Sequence, residues 1–282
     1  MVKIIADSTC DLSAELVAKY DVGILPLHIL LGEKEYEDGC SIMPDDIFKW
    51  SDEHNATPKT SAASMEKARE VFAKYLEEYD EVVSFAISSE MSTTVNVMKL
   101  AAQDLEAEER IRVIDSRSLS TGIGLMVIEA AILAQEGKSA VEIEEQILQY
   151  VPRVRSSFVV DTLEYLHRGG RCSGLAAMLG GAMKLHPMIV VENGKMHSSK
   201  KYRGTLNRVI SSYSKDLEEA LKKARTNRVF ITHSGCDEEI VTQVQDYLKG
   251  LNHFDEVLTT RAGGVISSHC GPGTLGILFI AE

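Results

Sequence analysis

The sequence predicts an α/β protein made of two α/β domains with mostly parallel sheets. Its 282 residues are about twice the length of one ordinary domain. Short apolar runs alternate along the chain with segments whose apolar residues recur at helical spacing, which is typical of α/β folds. A composition of 44% hydrophobic and 26% charged residues indicates a globular protein and not a disordered or fibrous one.

Eight apolar runs have the length of β-strands. In chain order they cover residues 2–6, 24–30, 82–87, 111–114, 158–160, 188–191, 229–232 and 275–280. Helices are predicted over 66–79 and 237–249 because the apolar residues there fall on one helical face. A further helix is predicted to begin after Ser139, which forms a capping box with Glu142, and to end near Val151.

No internal repeat or low-complexity linker marks a domain boundary, so we expect a compact one near residues 152–157. This divides the chain into an N-terminal domain of residues 1–155 and a C-terminal domain of residues 156–282. Gly122 and Gly124 lie in an apolar helical stretch and lack the third glycine of a dinucleotide-binding loop. We interpret them as sites of close helix packing.

Charge and cysteine content exclude several functional classes. A net charge of −12 argues against general nucleic-acid binding, because phosphates would be repelled. The five cysteines are widely spaced and form no CxxC pair, which favours reduced thiols over disulfides or zinc. No apolar run approaches the roughly 18 residues that cross a bilayer, and the N-terminal segment does not resemble a signal peptide. We expect a cytoplasmic protein without a metal.

Several predicted strands end on an aspartate that a hydroxyl residue follows, as at Asp7, Asp115 and Asp161. Such residues commonly cap helix N-termini. The carboxyl ends of parallel strands are also where α/β proteins bind ligands. Both interpretations can hold together, because capping residues can surround a crevice without touching its contents.

Three polar segments are candidates for binding chemistry, namely 58–64, 88–94 and 267–274. The first two carry hydroxyl residues just before predicted helices, where free amides and the helix dipole favour an anion. The third contains His269, which we expect to be a turn histidine; beside the Gly-Pro-Gly turn it is also a candidate for a neutral donor or a switchable cation. Phosphate-loop, dinucleotide-loop, zinc-protease and nucleophile-elbow patterns are missing from the sequence.

Six motifs together resemble the DegV family, which includes the FakB fatty-acid-binding proteins. They are DSTCDL at 7–12, KTS at 59–61, SSEMS at 88–92, IDSRSLSTGIG at 114–124, RGGR at 168–171 and SHCGPGTLG at 268–276. Each is weak alone, but their joint order across nearly the whole chain is specific. The resemblance implies a fatty acid enclosed between the two domains, with its carboxylate held by hydroxyls and a histidine.

Position by position, the resemblance assigns carboxylate binding to Thr60, Ser92, Thr93 and His269. The family leads us to expect glycine where this chain has Thr93, so the amide geometry at that position is open. The acyl chain is expected to line up against Leu175, Met178, Leu179, Met183 and Leu185, although an ordinary core helix would carry the same residues. The bound fatty acid is the expected ligand, and no cofactor is expected.

The resemblance also implies a partner, a separate fatty-acid kinase subunit that phosphorylates the bound carboxylate to an acyl phosphate. It favours Arg171 and Arg203 as docking residues, although a basic cluster is often only a solvated face. Transient contact with a membrane is left open. Two alternatives remain: a Ser/His hydrolase or acyltransferase that uses Ser92 and His269, for which no acidic third member is identifiable, and a regulatory protein with a fixed lipid.

Overall fold

Two large β-sheets of different construction organise the chain. The computed structural model describes residues 1–173 and 185–282. Its strands are β1 (Val2–Asp7), β2 (Gly23–Leu25), β3 (His28–Leu31), β4 (Lys34–Glu37), β5 (Lys59–Ser61), β6 (Glu81–Ala86), β7 (Ile111–Asp115), β8 (Val154–Val159), β9 (Cys172–Ser173), β10 (Leu185–Glu192), β11 (Lys195–Arg203), β12 (Ala224–Ser234), β13 (Glu256–Arg261) and β14 (Thr274–Ala281). This alternation of strands and helices confirms the predicted α/β class.

The helices connect and cover these strands. They are α1 (Ala14–Lys19), α2 (Pro44–His54), α3 (Met65–Leu76), α4 (Thr94–Asp104), α5 (Thr121–Gln135), α6 (Ala140–Tyr150), α7 (Glu164–Gly169), α8 (Leu206–Asp216), α9 (Glu218–Leu221), α10 (Glu238–Gly250) and α11 (Gly264–Cys270). The predicted capping box is present at α6, where Glu142 N donates to Ser139 Oγ and Ser139 N donates to the Glu142 carboxylate. In the described ranges, none of these helices has both the length and the apolar character that crossing a membrane requires.

The first sheet is parallel throughout, with strand order β2-β1-β6-β7. Helices α5 and α6 pack on one face, and α3 and α4 pack on the other. Because β1 and β6 are covered on both faces, nearly every residue in them is buried. This explains why these strands read in the sequence as continuous apolar runs rather than as alternating patterns.

The second sheet has seven strands in the order β13-β12-β14-β8-β10-β11-β9. Only the pairs β12–β13 and β9–β11 are parallel, and the other described pairs are antiparallel. This half therefore departs from the mostly parallel pattern predicted for it. One cause is the tight β10–β11 hairpin, in which Asn193 and Gly194 both have positive φ, as a two-residue reversing turn requires. An apolar run does not reveal the direction of its strand.

Helix α5 lies between the two sheets and contacts strands of both. A side chain at Gly122 would overlap the hydroxyls of Ser118 and Ser156, and one at Gly124 would lie 3.0 Å from Cys10 O. Both glycines are therefore sites of close packing, as predicted. Strands of the parallel sheet all precede residue 116 and those of the seven-stranded sheet all follow residue 153. The division at residue 155 stays a prediction, and it falls within β8.

The single strand predicted over 24–30 is wrong, because this segment forms two strands in different sheets. The break falls at Pro26, which lacks the amide hydrogen that a continuous ladder needs. Strand β2 extends the parallel sheet, whereas β3 pairs antiparallel with β4 and β5 in a small third sheet. This small sheet and α2 pack against Val265 of α11, which places β5 beside that helix.

Candidate ligand-binding site

A cavity of about 470 Å³ lies where the loop after β6, the strand β5 and the helix α11 meet. The loop after β6 leaves the carboxyl end of a central parallel strand, the position at which α/β sheets commonly bind ligands. Lining residues come from both halves of the chain. They are Leu27, Thr60, Ser61, Ala62, Ile87, Ser89, Glu90, Met91, Ser92, Thr93, Leu119, Arg171, Met196, Val265, Ile266, His269 and Cys270.

A hydrogen bond of 2.7 Å joins Thr60 Oγ1 to His269 Nε2 at the wall of this cavity. Strand β5 positions Thr60 through its antiparallel pairing with β3. His269 lies within helix α11, in its last helical turn. The prediction that it belongs to a loop turn is therefore wrong. The Gly-Pro-Gly sequence follows the helix instead, and Gly271 ends it with a φ of 74°.

The His269 imidazole is neutral in this environment. Burial, and to a smaller extent the nearby Arg171 cation, lower its pKa from 6.5 to about 4. A neutral imidazole carries one N–H donor and one acceptor nitrogen. Among the described residues, Nδ1 of His269 has no hydrogen-bond partner. Nδ1 is buried and faces Gly169, so the Nε2 edge, which bonds Thr60, is the part of the ring placed to contact an anion, and it brings no positive charge to it.

Ser92 and Thr93 line the same cavity at the N-terminus of α4. The Ser92 hydroxyl accepts from Thr94 N at 3.3 Å and bonds the Thr94 hydroxyl at 2.8 Å. Thr93 is the N-cap, with φ −84° and ψ 4°, a conformation open to any L-residue. Threonine in place of the glycine that the resemblance led us to expect therefore introduces no backbone strain at this position.

The remaining lining is largely apolar and includes Leu119, Met196 and Ile266. A neighbouring recess of about 20 Å³ shares Leu119, Ile266 and Cys270 with the main cavity, so the two spaces adjoin. Met196 and Ile266 belong to no quoted motif and show only ordinary strand and helix patterns in the sequence. The structure thus places a polar rim of hydroxyls beside an apolar interior.

The predicted acyl-chain residues are mostly untested. Leu175, Met178, Leu179 and Met183 lie outside the described residues. Leu185 begins β10 and does not line the described cavity. The expectation that this segment encloses an acyl chain therefore stays a prediction.

The two arginines predicted to dock a partner occupy different surroundings. Arg171 is exposed, borders the cavity and donates to Gly169 O at 2.5 Å. Arg203 is exposed at the end of β11 and does not line the cavity. The structure thus brings Arg171 to the ligand site and leaves Arg203 on the surface.

A carboxylate that the sequence did not single out also lines the cavity. Glu90 forms ion pairs with Lys195 at 3.2 Å and with Arg117 at 3.7 Å. Its charge is therefore compensated, and the Lys195 pair links the loop after β6 to the β10–β11 hairpin. In the same place, Ser88 Oγ donates to Gly194 O at 2.7 Å.

Aspartates at the strand ends support the cavity without lining it. Asp7 accepts from Ile87 N at 2.8 Å and from Thr9 N at 3.0 Å, and it caps a short 3-10 turn. Asp115 accepts from Ser89 N at 3.2 Å. Asp7 matches the capping interpretation, whereas Asp115 bonds loop amides and Asp161 lies 3.5 Å from His186.

The described residues offer little to a catalytic or metal site. No acidic side chain among them bonds His269, which a Ser-His-acid triad would require. Searching the same residues gives no group of three potential ligands placed to hold a metal ion. The arrangement is suited to holding an anion with neutral donors.

Comparison with known proteins gives consistent matches along the whole chain. The family model described as an uncharacterised protein of the DegV family matches residues 1–282. A DegV domain-containing protein of Clostridium perfringens is 32% identical and covers 100% of this chain and 99% of its own.

Solved structures are also similar. A DegV family protein from Thermus thermophilus, described by its fatty-acid binding, superimposes with a TM-score of 0.91 at 32% identity and covers 100% of this chain and 99% of its own. A stearic acid-binding protein from Eubacterium ventriosum has a TM-score of 0.85 at 28% identity and covers 100% of this chain and 98% of its own.

Proposed function

The chain belongs to the DegV family, and we propose that it binds one long-chain fatty acid in the cavity and presents the carboxylate to a partner kinase. Thr60, Ser92, Thr93 and His269 hold the carboxylate in this proposal. The observation that carries it is the hydrogen-bonded pair of Thr60 and His269 at the edge of a largely apolar cavity. Two similar structures, described as binding fatty acids, support it.

The energetics favour a long acyl chain. Hydrogen bonds to a charged group contribute roughly 1.5–3 kcal/mol each, and a neutral His269 adds no ion pair. Burying a methylene contributes about 0.8 kcal/mol, so a chain of about sixteen carbons offers roughly 12 kcal/mol before entropy losses. Most of the affinity therefore comes from the acyl chain, and the polar rim fixes the position of the carboxylate.

The position of the polar rim supports presentation to a kinase. Ser61, Ser89 and Thr93 line the cavity and are also exposed, so a carboxylate held there is close to the surface. Arg171 borders the same opening, and Arg203 lies outside it. A kinase subunit that contacts both arginines would reach the carboxylate and transfer a phosphoryl group to it, giving an acyl phosphate.

The first experiment measures the ligand. Protein purified without detergent is unfolded gently and its lipid extract is analysed by mass spectrometry, with one free fatty acid per chain as the expected result. A lipid-free extract, together with no binding of added stearate to the protein, would contradict the proposal.

The second experiment tests presentation. The loaded protein is mixed with ATP and a purified fatty-acid kinase subunit, and acyl phosphate is trapped with hydroxylamine. Arg203→Ala is the cleaner docking variant, because Arg203 does not line the cavity. It should lose product formation and keep its lipid. Product formation at the wild-type rate would remove Arg203 from the docking surface.

The hydrolase alternative predicts a different result. If His269 acted as general base for Ser92, pure wild-type protein would hydrolyse activated acyl esters, and His269→Ala would lose about 10²–10⁴-fold in rate. The carrier proposal expects no turnover by the protein alone. Steady turnover that both Ser92→Ala and His269→Ala abolish would overturn it.

A further inference from the structure

Gly169, the last residue of α7, lies directly against the His269 imidazole. Helix α7 packs on α11. A Cβ atom at Gly169 would overlap His269 Nδ1 and lie 3.2 Å from its Cε1. Positive φ does not account for this glycine, since the left-handed residue in this turn is Gly170, with φ 68°. The requirement at position 169 is therefore for space beside the imidazole.

Gly169 is also linked to the protein surface, through a hydrogen bond from Arg171. Gly170 ends α7 in the left-handed conformation and turns the chain back. Arg171 then places its guanidinium on Gly169 O, with an Nη1 to O distance of 2.5 Å. A continuous series of contacts thus runs from exposed Arg171 through Gly169 to His269 and on to Thr60.

Other charges on the elements around α11 are paired, bonded to backbone amides or exposed to solvent. On α7, Arg168 is paired with Glu164. At the opposite end of α11, Asp11 and Asp38 accept from Gly263 N and Gly264 N. Lys59 of β5 is exposed. Arg171 is the cation whose charge acts on the imidazole.

We propose that Gly169 is a positioning residue of the ligand site, and that through it the loop carrying Arg171 controls whether His269 can hold a carboxylate. This inference rests on the proposed fatty-acid binding. A partner that engages Arg171 would then act on the carboxylate site, and by linkage an occupied site would change the affinity for that partner. The RGGR sequence at 168–171 thereby joins the docking surface to the ligand.

A double-mutant cycle between Gly169 and His269 tests this directly. Stearate affinity is measured on delipidated wild type, Gly169→Ala, His269→Ala and the double variant by competition with a fluorescent fatty acid. Gly169→Ala should bind stearate about tenfold more weakly, because the displaced imidazole loses its hydrogen bond to the carboxylate. In the His269→Ala background the same change should have no further effect, since no imidazole is left to displace.

Gly250→Ala is the matched control. A Cβ added at Gly250 would have no atom within 4 Å, and the residue has no positive φ. The Gly250→Ala variant should therefore bind stearate with wild-type affinity. Wild-type affinity in Gly169→Ala, or an equal loss with and without His269, would overturn the proposal. If Gly169→Ala does not fold, a folded double variant supports the proposal and an unfolded one overturns it. Failure of wild type itself to bind stearate would instead count against the proposed function.

Discussion

The two ends of helix α11 differ in how completely their polar groups are satisfied. At the N-terminal end, Asp11 Oδ1 accepts from Gly263 N at 2.8 Å and Asp38 Oδ1 accepts from Gly264 N at 2.7 Å. Each carboxyl also accepts from a serine hydroxyl, Ser120 Oγ at 2.6 Å and Ser8 Oγ at 2.8 Å respectively. This end is fixed by buried acceptors that the protein supplies itself.

At the C-terminal end, His269 bonds Thr60 and lines the cavity. Burial raises the pKa of Asp11 and Asp38 and lowers that of His269, so it disfavours the charged form in both places. The difference lies in the partners. Among the described residues, the anchored end has its backbone amides bonded to carboxylates, whereas at the cavity end His269 Nδ1 has no hydrogen-bond partner. A rigid helix held at one end can present a side chain accurately at the other.

The largest expected effect is a loss of folding stability when the N-terminal end of α11 loses one of its aspartates. Asp38→Ala leaves the Ser8 hydroxyl and Gly264 N without their acceptor, which should cost roughly 2–4 kcal/mol in the free energy of unfolding. Urea denaturation followed by circular dichroism measures this. Asp52→Ala, which removes an exposed aspartate, is the control and should change little. Equal unfolding free energies for the two variants would contradict the anchoring role.

A second prediction concerns pH. Burial raises the pKa of Asp7, which supports the loop beside the cavity, from 3.8 to about 6. Because the folded state holds this proton more tightly, the contribution to stability is complete below pH 3.8 and is lost as pH rises through 6. Between pH 4 and pH 7, Asp7→Asn should therefore gain about 1–3 kcal/mol relative to wild type. A stability difference that does not change with pH would show that Asp7 titrates normally.

The third prediction addresses the cavity end. Thr60→Val keeps the shape of the side chain but removes the hydroxyl, and stearate affinity should fall about tenfold while the fold is retained. Ser92→Ala should act in the same direction, although it also removes a bond to the first turn of α4. Thr259→Val, at an exposed position on β13, is the matched control. Wild-type affinity in both cavity variants would place the carboxylate elsewhere.

The sequence could predict those features of the site and the fold that short motifs and local patterns carry. Thr60, Ser92, Thr93 and His269 belong to short polar motifs, and the structure brings all four to one cavity. Their role as carboxylate ligands stays a prediction. The parallel sheet was also predictable, because apolar runs that alternate with helical segments are typical of parallel strands joined through helices.

Other features depend on contacts that local patterns do not carry. Asp38 belongs to no motif, and its role arises from an amide 226 residues away in the chain. Met196 and Ile266 line the cavity with side chains that would suit any core. Strand direction in the seven-stranded sheet depends on long-range pairing, so a mixed sheet was not foreseen.

The smallest expected effect distinguishes the charge of Arg171 from its packing. His269 is neutral because burial, first, and the Arg171 cation, second, lower its pKa to about 4. Arg171→Gln removes the charge, so the pKa of His269 should rise but stay below 6.5, since burial remains. Arg171→Lys keeps the charge and should keep the pKa low. Nitrogen-15 NMR of the imidazole across pH 3.5 to 7.5 measures the His269 pKa in both variants.

Because a depressed histidine pKa destabilises the fold as pH falls from 6.5 towards 4, Arg171→Gln should also lose less stability than wild type over that window. Identical titration midpoints in all three proteins would mean that burial alone keeps His269 neutral, and that Arg171 influences the cavity only through its bond to Gly169.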